Sequence, residues 1–137
     1  MLVDDIRWQR CDIKSTSLLG NVLQMNDAKS MGCNEILMHK NGELTEGGAS
    51  NIFFVKDKTI YTPELSSNIL PGITRHQVIK IIKDKKLNFQ EGSYDINDLN
   101  EASSIWFTST TKGIVGVEEI VNLETKINPE CELLEIC

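Results

Sequence analysis

Apolar positions recur along the chain with the spacing of two helices. The first helical stripe, which Gly32 is predicted to end, contains Leu18, Leu19, Val22, Leu23 and Met31. The second stripe predicts the buried side of another helix and contains Val78, Ile79, Ile81 and Ile82. Thr74 is the expected N-cap of this second helix, and Gln77 three residues later completes a capping-box pattern.

Shorter apolar runs predict strands around these helices. They cover residues 6–13, 35–38, 43–46, 51–56, 59–62, a segment at Phe89, 105–107 and 114–121. Asn41-Gly42 favours a hairpin, Asp57-Lys58 predicts a second turn, and Asp95 is expected to cap a short helix. Because helices do not separate the strands in strict alternation, the pattern predicts a mixed α/β (α+β) chain and not a doubly wound sheet.

Length and composition are typical of one globular domain with a real core. The chain has 137 residues, of which 40% are hydrophobic, and a net charge of -6. The negative charge argues against nucleic acid or an anionic membrane as a partner. No apolar stretch approaches the roughly 18 residues that span a bilayer.

The four cysteines at positions 11, 33, 131 and 137 show neither a CxxC pair nor a neighbouring histidine. The sequence therefore predicts no zinc site. A disulfide framework is unusual in a chain with this much core, so we expect reduced thiols and a cytoplasmic location. The N-terminus shows no basic start followed by an apolar run, and we expect no signal peptide.

Three separate features suggest one kind of chemistry. Lys14 follows the first predicted strand, Glu46 precedes two glycines, and residues 70–75 lead into the second predicted helix. A lysine can form an imine with pyridoxal phosphate, a carboxylate can pair with the ring nitrogen, and a helix start can bind the phosphate. Residues 108–111 add a row of hydroxyls after a buried strand. Taken singly, each feature also has an ordinary structural interpretation: a solvated lysine, a surface acid, a helix cap or a turn.

In this order and spacing, these pieces resemble the fold-type IV pyridoxal-phosphate enzymes, and within them the D-amino acid aminotransferase type. The matching stretches are residues 5–8, 10–15, 18–20, 45–47, 50–51, 61–63, 69–75 and 108–111. The resemblance implies a pyridoxal-phosphate-binding large domain over residues 1–121, built as a mixed sheet or pseudo-barrel with flanking helices. It leaves residues 122–137 as a divergent tail that we expect to be poorly ordered.

The resemblance also implies roles around the cofactor ring. Lys14 would be the Schiff-base lysine and would carry the proton between the substrate α-carbon and the cofactor. Glu46 would pair with the pyridine N–H, and Leu70 would lie against one face of the ring. Ser50 and Asn51 would belong to the network behind Glu46.

The phosphate site is implied in the same way. Ile73 and Thr74 would provide backbone and hydroxyl donors at the start of a helix. Ser109 and Thr110 would complete the site from the other side. Where the family often has two serines after Glu-Gly, this chain has Gly48 and Ala49, which would remove hydroxyls near the cofactor.

The implied activity is transfer of an amino group between a D-amino acid and a 2-oxo acid by a homodimer. Branched-chain aminotransferase and aminodeoxychorismate lyase share the fold and are alternatives, as is a non-catalytic binding or assembly domain on this scaffold. Such enzymes are roughly twice this length, and their N-terminal small domain, which supplies a phosphate-binding arginine, has no counterpart here. We therefore expect weak cofactor binding and low turnover from this chain alone.

Overall fold

The computed structural model describes residues 1–125 and 127. The strands are β1 Leu2–Asp4, β2 Leu37–Lys40, β3 Glu43–Gly47, β4 Asn51–Lys56, β5 Thr59–Pro63, β6 Phe89–Gly92, β7 Ser104–Ser109 and β8 Gly113–Gly116. The helices are α1 Leu19–Ser30 and α2 Ile73–Asp84, and a 3-10 helix covers Ile96–Glu101.

The strands form two mixed sheets. In the three-stranded sheet the order is β1-β2-β3, with β1 parallel to β2 and β3 antiparallel to it. In the five-stranded sheet the order is β6-β5-β4-β7-β8, and only β5 and β6 are parallel. The prediction of a mixed α/β chain is confirmed.

Both predicted turns are confirmed, because each places two residues in the left-handed backbone region. Asn41 and Gly42 have φ of 51° and 87°, and they join β2 to β3. Asp57 and Lys58 have φ of 48° and 60°, and they join β4 to β5. Two consecutive positive φ values suit the twist of a two-residue hairpin.

Side chains alternate along β4 between two cores. Phe53 faces α2, where its ring stacks on Trp106 at 5.7 Å, and Val78 and Ile82 pack in the same cluster. Phe54 points to the opposite face and joins a second cluster with Leu2 and other buried side chains. Ile81, predicted to be buried, is only half-buried because it lies at the margin of the apolar face of α2.

Residues 6–13 do not form the predicted strand. This segment is irregular, since its backbone is tied elsewhere: the N–H groups of Cys11 and Asp12 both donate to the Ser67 carbonyl. The strand of this region is instead β1, which precedes it and is only three residues long. Such a short strand has too few positions to show an alternating pattern.

The start of α2 also differs from the prediction. Gly72, not Thr74, occupies the N-cap position, and no side chain caps this helix end. Thr74 is the second helical residue, and it lines a cavity. The first backbone N–H groups of α2 therefore have no side-chain acceptor from a cap.

The first predicted helix is confirmed as α1, but its apolar stripe does not face the core. Leu19 is 72% exposed, and Val22 and Leu23 are each 50% exposed. The buried residues of α1 are Asn21 and Ala28. Gly32 follows the helix with a φ of 77°, as expected for a residue that ends one.

The short helix after Asp95 is confirmed in position, although it is a 3-10 helix with a reciprocal capping box to Asp98.

Farther on, the Asn122 side chain donates to the Leu2 carbonyl at 3.0 Å and accepts from the Leu2 N–H at 3.2 Å. Of the predicted tail over residues 122–137, residue 126 and residues 128–137 lie outside the described residues. Within the described part, neither helix has the length and apolar character that a membrane crossing requires.

Candidate active site

A cavity of about 270 Å³ opens where four parts of the chain meet. These parts are the irregular loop before α1, the β3–β4 connection, the start of α2 and the end of β7. Of the nine residues predicted from sequence, eight line this cavity: Lys14, Glu46, Ser50, Asn51, Leu70, Thr74, Ser109 and Thr110. Ile73 does not line it, and 70% of its surface is exposed.

Lys14 lies on the irregular loop and is exposed. The loop is held against the β5–α2 connection by the hydrogen bond from the Cys11 N–H to the Ser67 carbonyl, at 2.7 Å. The Cys11 thiol is buried and donates to the Trp8 carbonyl at 3.0 Å. These contacts fix the base of the loop and leave the lysine amine accessible at the cavity.

Glu46 lies on β3 with only 5% of its side chain exposed, and three groups donate to its carboxylate. The donors are Arg7 Nη1 at 2.5 Å, Asn51 Nδ2 at 2.9 Å and the Leu70 N–H at 3.1 Å. Burial raises the pKa of Glu46 to about 7, against the opposing effect of Arg7. A buried acid in the cavity wall is thus held in one orientation.

Arg7 connects Glu46 to a second buried acid. Its Nε and Nη2 donate to the two Asp5 oxygens at 2.9 and 2.7 Å, and the Asp5 side chain has no exposed surface. Burial opposes ionisation of Asp5, but the hydrogen bonds and charge of Arg7 outweigh it and lower the pKa of Asp5. Because this arginine is committed to two carboxylates, it is poorly placed to bind a phosphate as well.

The connection between β3 and β4 is anchored from two directions. Glu35 accepts from the Gly48 N–H at 3.0 Å and from the Ser50 hydroxyl at 3.1 Å, and Asn21 of α1 donates to the Gly48 carbonyl at 2.7 Å. Ser50 therefore contacts Glu35 and not Glu46, in contrast to the predicted network. Asn51 does contact Glu46, as predicted.

The start of α2 lies close to Asn51, the first residue of β4. A Cβ atom on Gly72 would come within 2.3 Å of Asn51 Oδ1, so only glycine fits this approach. Thr108 also lines the cavity, and its buried hydroxyl has no hydrogen-bond partner among the described residues. Unpaired helix N–H groups and hydroxyls at one place suit an anion.

The cavity thus combines three chemical capacities. Lys14 offers a primary amine, Glu46 offers a buried acceptor for a cationic N–H group, and the α2 start with Thr74, Ser109 and Thr110 offers donors to an anion. A flat aromatic cation with an aldehyde and a phosphate would engage all three.

Comparison with known families agrees with this chemistry. Residues 2–120 match the family model described as amino-transferase class IV. The chain belongs to this family. The resemblance to fold-type IV enzymes seen in the sequence is confirmed.

Individual class IV relatives have several names. The chain is 39% identical over 117 residues to the D-alanine aminotransferase of Listeria monocytogenes serotype 4b (strain F2365), covering 85% of this chain and 40% of the relative. A provisionally assigned 4-amino-4-deoxychorismate lyase of Legionella pneumophila superposes with a TM-score of 0.86 at 26% identity, over 98% of this chain and 52% of that one. The branched-chain amino acid aminotransferase of Thermobaculum terrenum, in its PLP form, superposes with a TM-score of 0.79 at 27% identity, over 85% of this chain and 39% of that one. The chain thus spans about two fifths of the length of the curated relative.

Two residues of this class IV site escaped the sequence analysis as separate contributors. Asp5 and Arg7 enter the sequence analysis only through the matching stretch of residues 5–8, and Arg7 falls within the strand predicted over residues 6–13. Their spacing of two residues was a usable signal, since Arg10 and Asp12 repeat the same spacing and also pair. The contact from Arg7 to Glu46 spans 39 residues, and no local pattern predicts it.

Proposed function

We propose that this chain binds pyridoxal 5′-phosphate and that Lys14 carries the covalent attachment. The observation that supports this most directly is the position of Lys14 and Glu46 on one cavity, although 32 residues separate them in the sequence. An accessible lysine amine is the nucleophile that adds to an aldehyde carbon. The PLP form of the Thermobaculum terrenum relative adds support.

The residues present fit this cofactor at both of its polar ends. Glu46 would accept a hydrogen bond from the protonated ring nitrogen, and Leu70 would contact the ring. Thr74 at the start of α2, together with Ser109 and Thr110, would hold the phosphate. The Thr108 hydroxyl, buried beside that helix start without a partner among the described residues, would offer a further donor to the phosphate.

Lys14 and Glu46 would divide the main tasks of amino-group transfer between them. When bound, the cofactor supplies an electron-withdrawing ring that makes the substrate α-hydrogen acidic. Lys14 would accept that proton as a general base and then donate it to the cofactor as a general acid. Glu46, held by Asn51 and Arg7, would keep the ring nitrogen protonated and so maintain the withdrawal of electrons.

We propose that the whole protein transfers an amino group between a D-amino acid and a 2-oxo acid. The D-alanine aminotransferase of Listeria monocytogenes supports this substrate class over branched-chain L-amino acids. The alternatives are a branched-chain aminotransferase or an aminodeoxychorismate lyase, as the names of two structural relatives suggest. Turnover of D-alanine, L-leucine and aminodeoxychorismate, measured side by side, separates the three.

We also propose a homodimer, because α1 and the loop before it expose much apolar surface. The exposed residues are Ile6, Trp8, Ile13, Leu18, Leu19, Val22 and Leu23. Large apolar side chains left exposed on one helix and the loop before it are typical of association sites. Cys11 and Cys33 form no disulfide within the described part of the chain, which is consistent with a cytoplasmic setting.

Borohydride trapping tests the cofactor proposal. The protein is mixed with pyridoxal 5′-phosphate, its visible absorbance is recorded, and the reduced adduct is located by peptide mass spectrometry. We expect the label on Lys14, loss of the label in Lys14→Ala, and no change in Lys80→Ala, which alters an exposed lysine of α2. Equal labelling of Lys14→Ala and the parent would reject the site and favour a non-catalytic domain.

A further inference from the structure

Asp5 is a fully buried carboxylate to which amino-group transfer as described above assigns no task. It follows β1 directly, and its N–H donates to the His39 carbonyl at 2.7 Å, which extends the β1–β2 pairing. Both of its side-chain oxygens are occupied. Oδ1 accepts from the N–H and Nε of Arg7, and Oδ2 accepts from Arg7 Nη2 and the Thr45 hydroxyl.

These contacts fix the orientation of Arg7. Its Nη2 also donates to the Asn68 carbonyl at 2.9 Å. The guanidinium group is planar, so holding Nε and Nη2 against Asp5 leaves a single direction for Nη1. That direction ends at Glu46 Oε1, 2.5 Å away. Asp5 thus determines where Arg7 meets Glu46, without touching Glu46 itself.

The charges of the three residues do not cancel. Two carboxylates and one guanidinium leave one negative charge when Glu46 is ionised. Three other ionisable groups lie near this cluster. Burial raises the pKa of the Cys11 thiol, which favours its neutral form. The Lys40 amine donates to Asn68 Oδ1, and Lys14 lies on the exposed loop. A pair of Arg7 and Glu46 alone would be neutral and would attract a further cation only weakly.

We propose that Asp5 is a positioning residue that neutralises Arg7 and thereby reserves the charge of Glu46 for a protonated ring nitrogen. This inference rests on the proposed function, because the ring nitrogen belongs to the proposed cofactor. The two buried acids, Asp5 and Glu46, would then select the ligand. The cavity should prefer a ring with a protonated nitrogen over the same ring with carbon at that position.

The test compares two ligands of equal shape. Pyridoxal 5′-phosphate and its 1-deaza analogue, in which CH replaces the ring nitrogen, are titrated against the protein while tryptophan fluorescence is recorded, since Trp8 lines the cavity. The measured quantity is the ratio of the two dissociation constants, which cancels contributions from the phosphate and from overall stability. We expect Asp5→Asn to reduce the preference for the nitrogen ring by about tenfold.

Two further variants sharpen the result. Asp5→Asn combined with Arg7→Gln removes both charges, and we expect the preference to return to within about threefold of the parent. Glu91→Gln changes another carboxylate that pairs with a buried arginine, Arg75, at 2.8 Å, and its ratio should equal that of the parent.

Each outcome decides between the proposals. A folded Asp5→Asn variant with the parent ratio overturns the role of Asp5 and leaves the proposed function intact. If that variant does not fold, the double variant decides: a preference raised more than about tenfold would mean that Asp5 does not neutralise Arg7 in the parent. If the parent protein binds neither ligand, the proposed function fails and the role of Asp5 falls with it.

Discussion

Asn51 and Thr108 are directly paired across β4 and β7, so their side chains lie on the same face of the five-stranded sheet. Asn51 uses its amide to hold Glu46 and the Leu70 carbonyl, whereas the Thr108 hydroxyl has no partner within the described part of the chain. One residue pair of the sheet therefore contributes to two regions of the cavity: the buried acid and the helix start. Removal of the Thr108 hydroxyl should accordingly change stability and cofactor affinity in opposite directions.

Thr108→Val should stabilise the protein without cofactor and weaken its binding of pyridoxal 5′-phosphate. Removing an unpaired buried hydroxyl gains about 1 kcal/mol, and losing a donor to phosphate costs about tenfold in affinity. Urea unfolding and fluorescence titration measure the two effects. Thr62→Val is the control, because its buried hydroxyl donates to the Ile52 carbonyl and its loss should lower stability alone. Unchanged affinity in Thr108→Val would exclude the hydroxyl from the phosphate site.

Gly72→Ala should destabilise the protein by about 2 kcal/mol, because the new Cβ would displace the Asn51 side chain from Glu46. Gly20→Ala on α1 is the matched control. Its Cβ would lie 3.4 Å from Ile6 Cγ1, an acceptable contact, and alanine should stabilise the helix by about 0.5 kcal/mol. Urea midpoints measure both, and equal effects of the two substitutions would contradict the close approach at Gly72.

The stability of the protein without cofactor should fall as pH rises from 5 to 7. The pKa of Glu46 is about 7 in the folded protein and near 4.5 when unfolded, so in this range the unfolded carboxyl is mostly ionised while the folded one stays mostly protonated until the pH approaches 7. Ionisation of the unfolded chain favours unfolding, and the loss should be about 2 kcal/mol, levelling off above pH 7. Urea unfolding at several pH values measures it. Glu46→Gln should flatten this dependence, and an identical slope in the variant would assign the effect to another group.

Leu19→Glu combined with Leu23→Glu should convert a dimer to a monomer without unfolding it. Both positions are on α1 and at least half exposed, so charge there disturbs association more than the core. Light scattering after size exclusion gives the mass, and circular dichroism checks the fold. Val115→Glu, at an exposed position on β8, should leave the mass unchanged. A monomeric parent protein would contradict the proposed dimer directly.

Local patterns predicted the elements whose physics is local. Asn41-Gly42 forms its hairpin and Asp95 caps its short helix, because these depend on backbone conformation and on neighbours two or three residues away. The apolar stripe of α1 predicted a helix correctly but not its burial. Helical spacing shows that apolar residues share a face, and it does not show what covers that face.

The sequence alone determined the mixed α/β class, the two hairpins, and a lysine, an acid and a helix start that resemble a class IV aminotransferase. Only the tertiary structure decided that Lys14 and Glu46 share a cavity, that Gly72 is the N-cap of α2, and that Asp5 and Arg7 stand behind Glu46. The physical reason is that a buried charge needs partners within hydrogen-bond distance. When the two sheets pack together, those partners come from parts of the chain that are far apart in sequence. Local sequence patterns do not predict which of these parts come into contact.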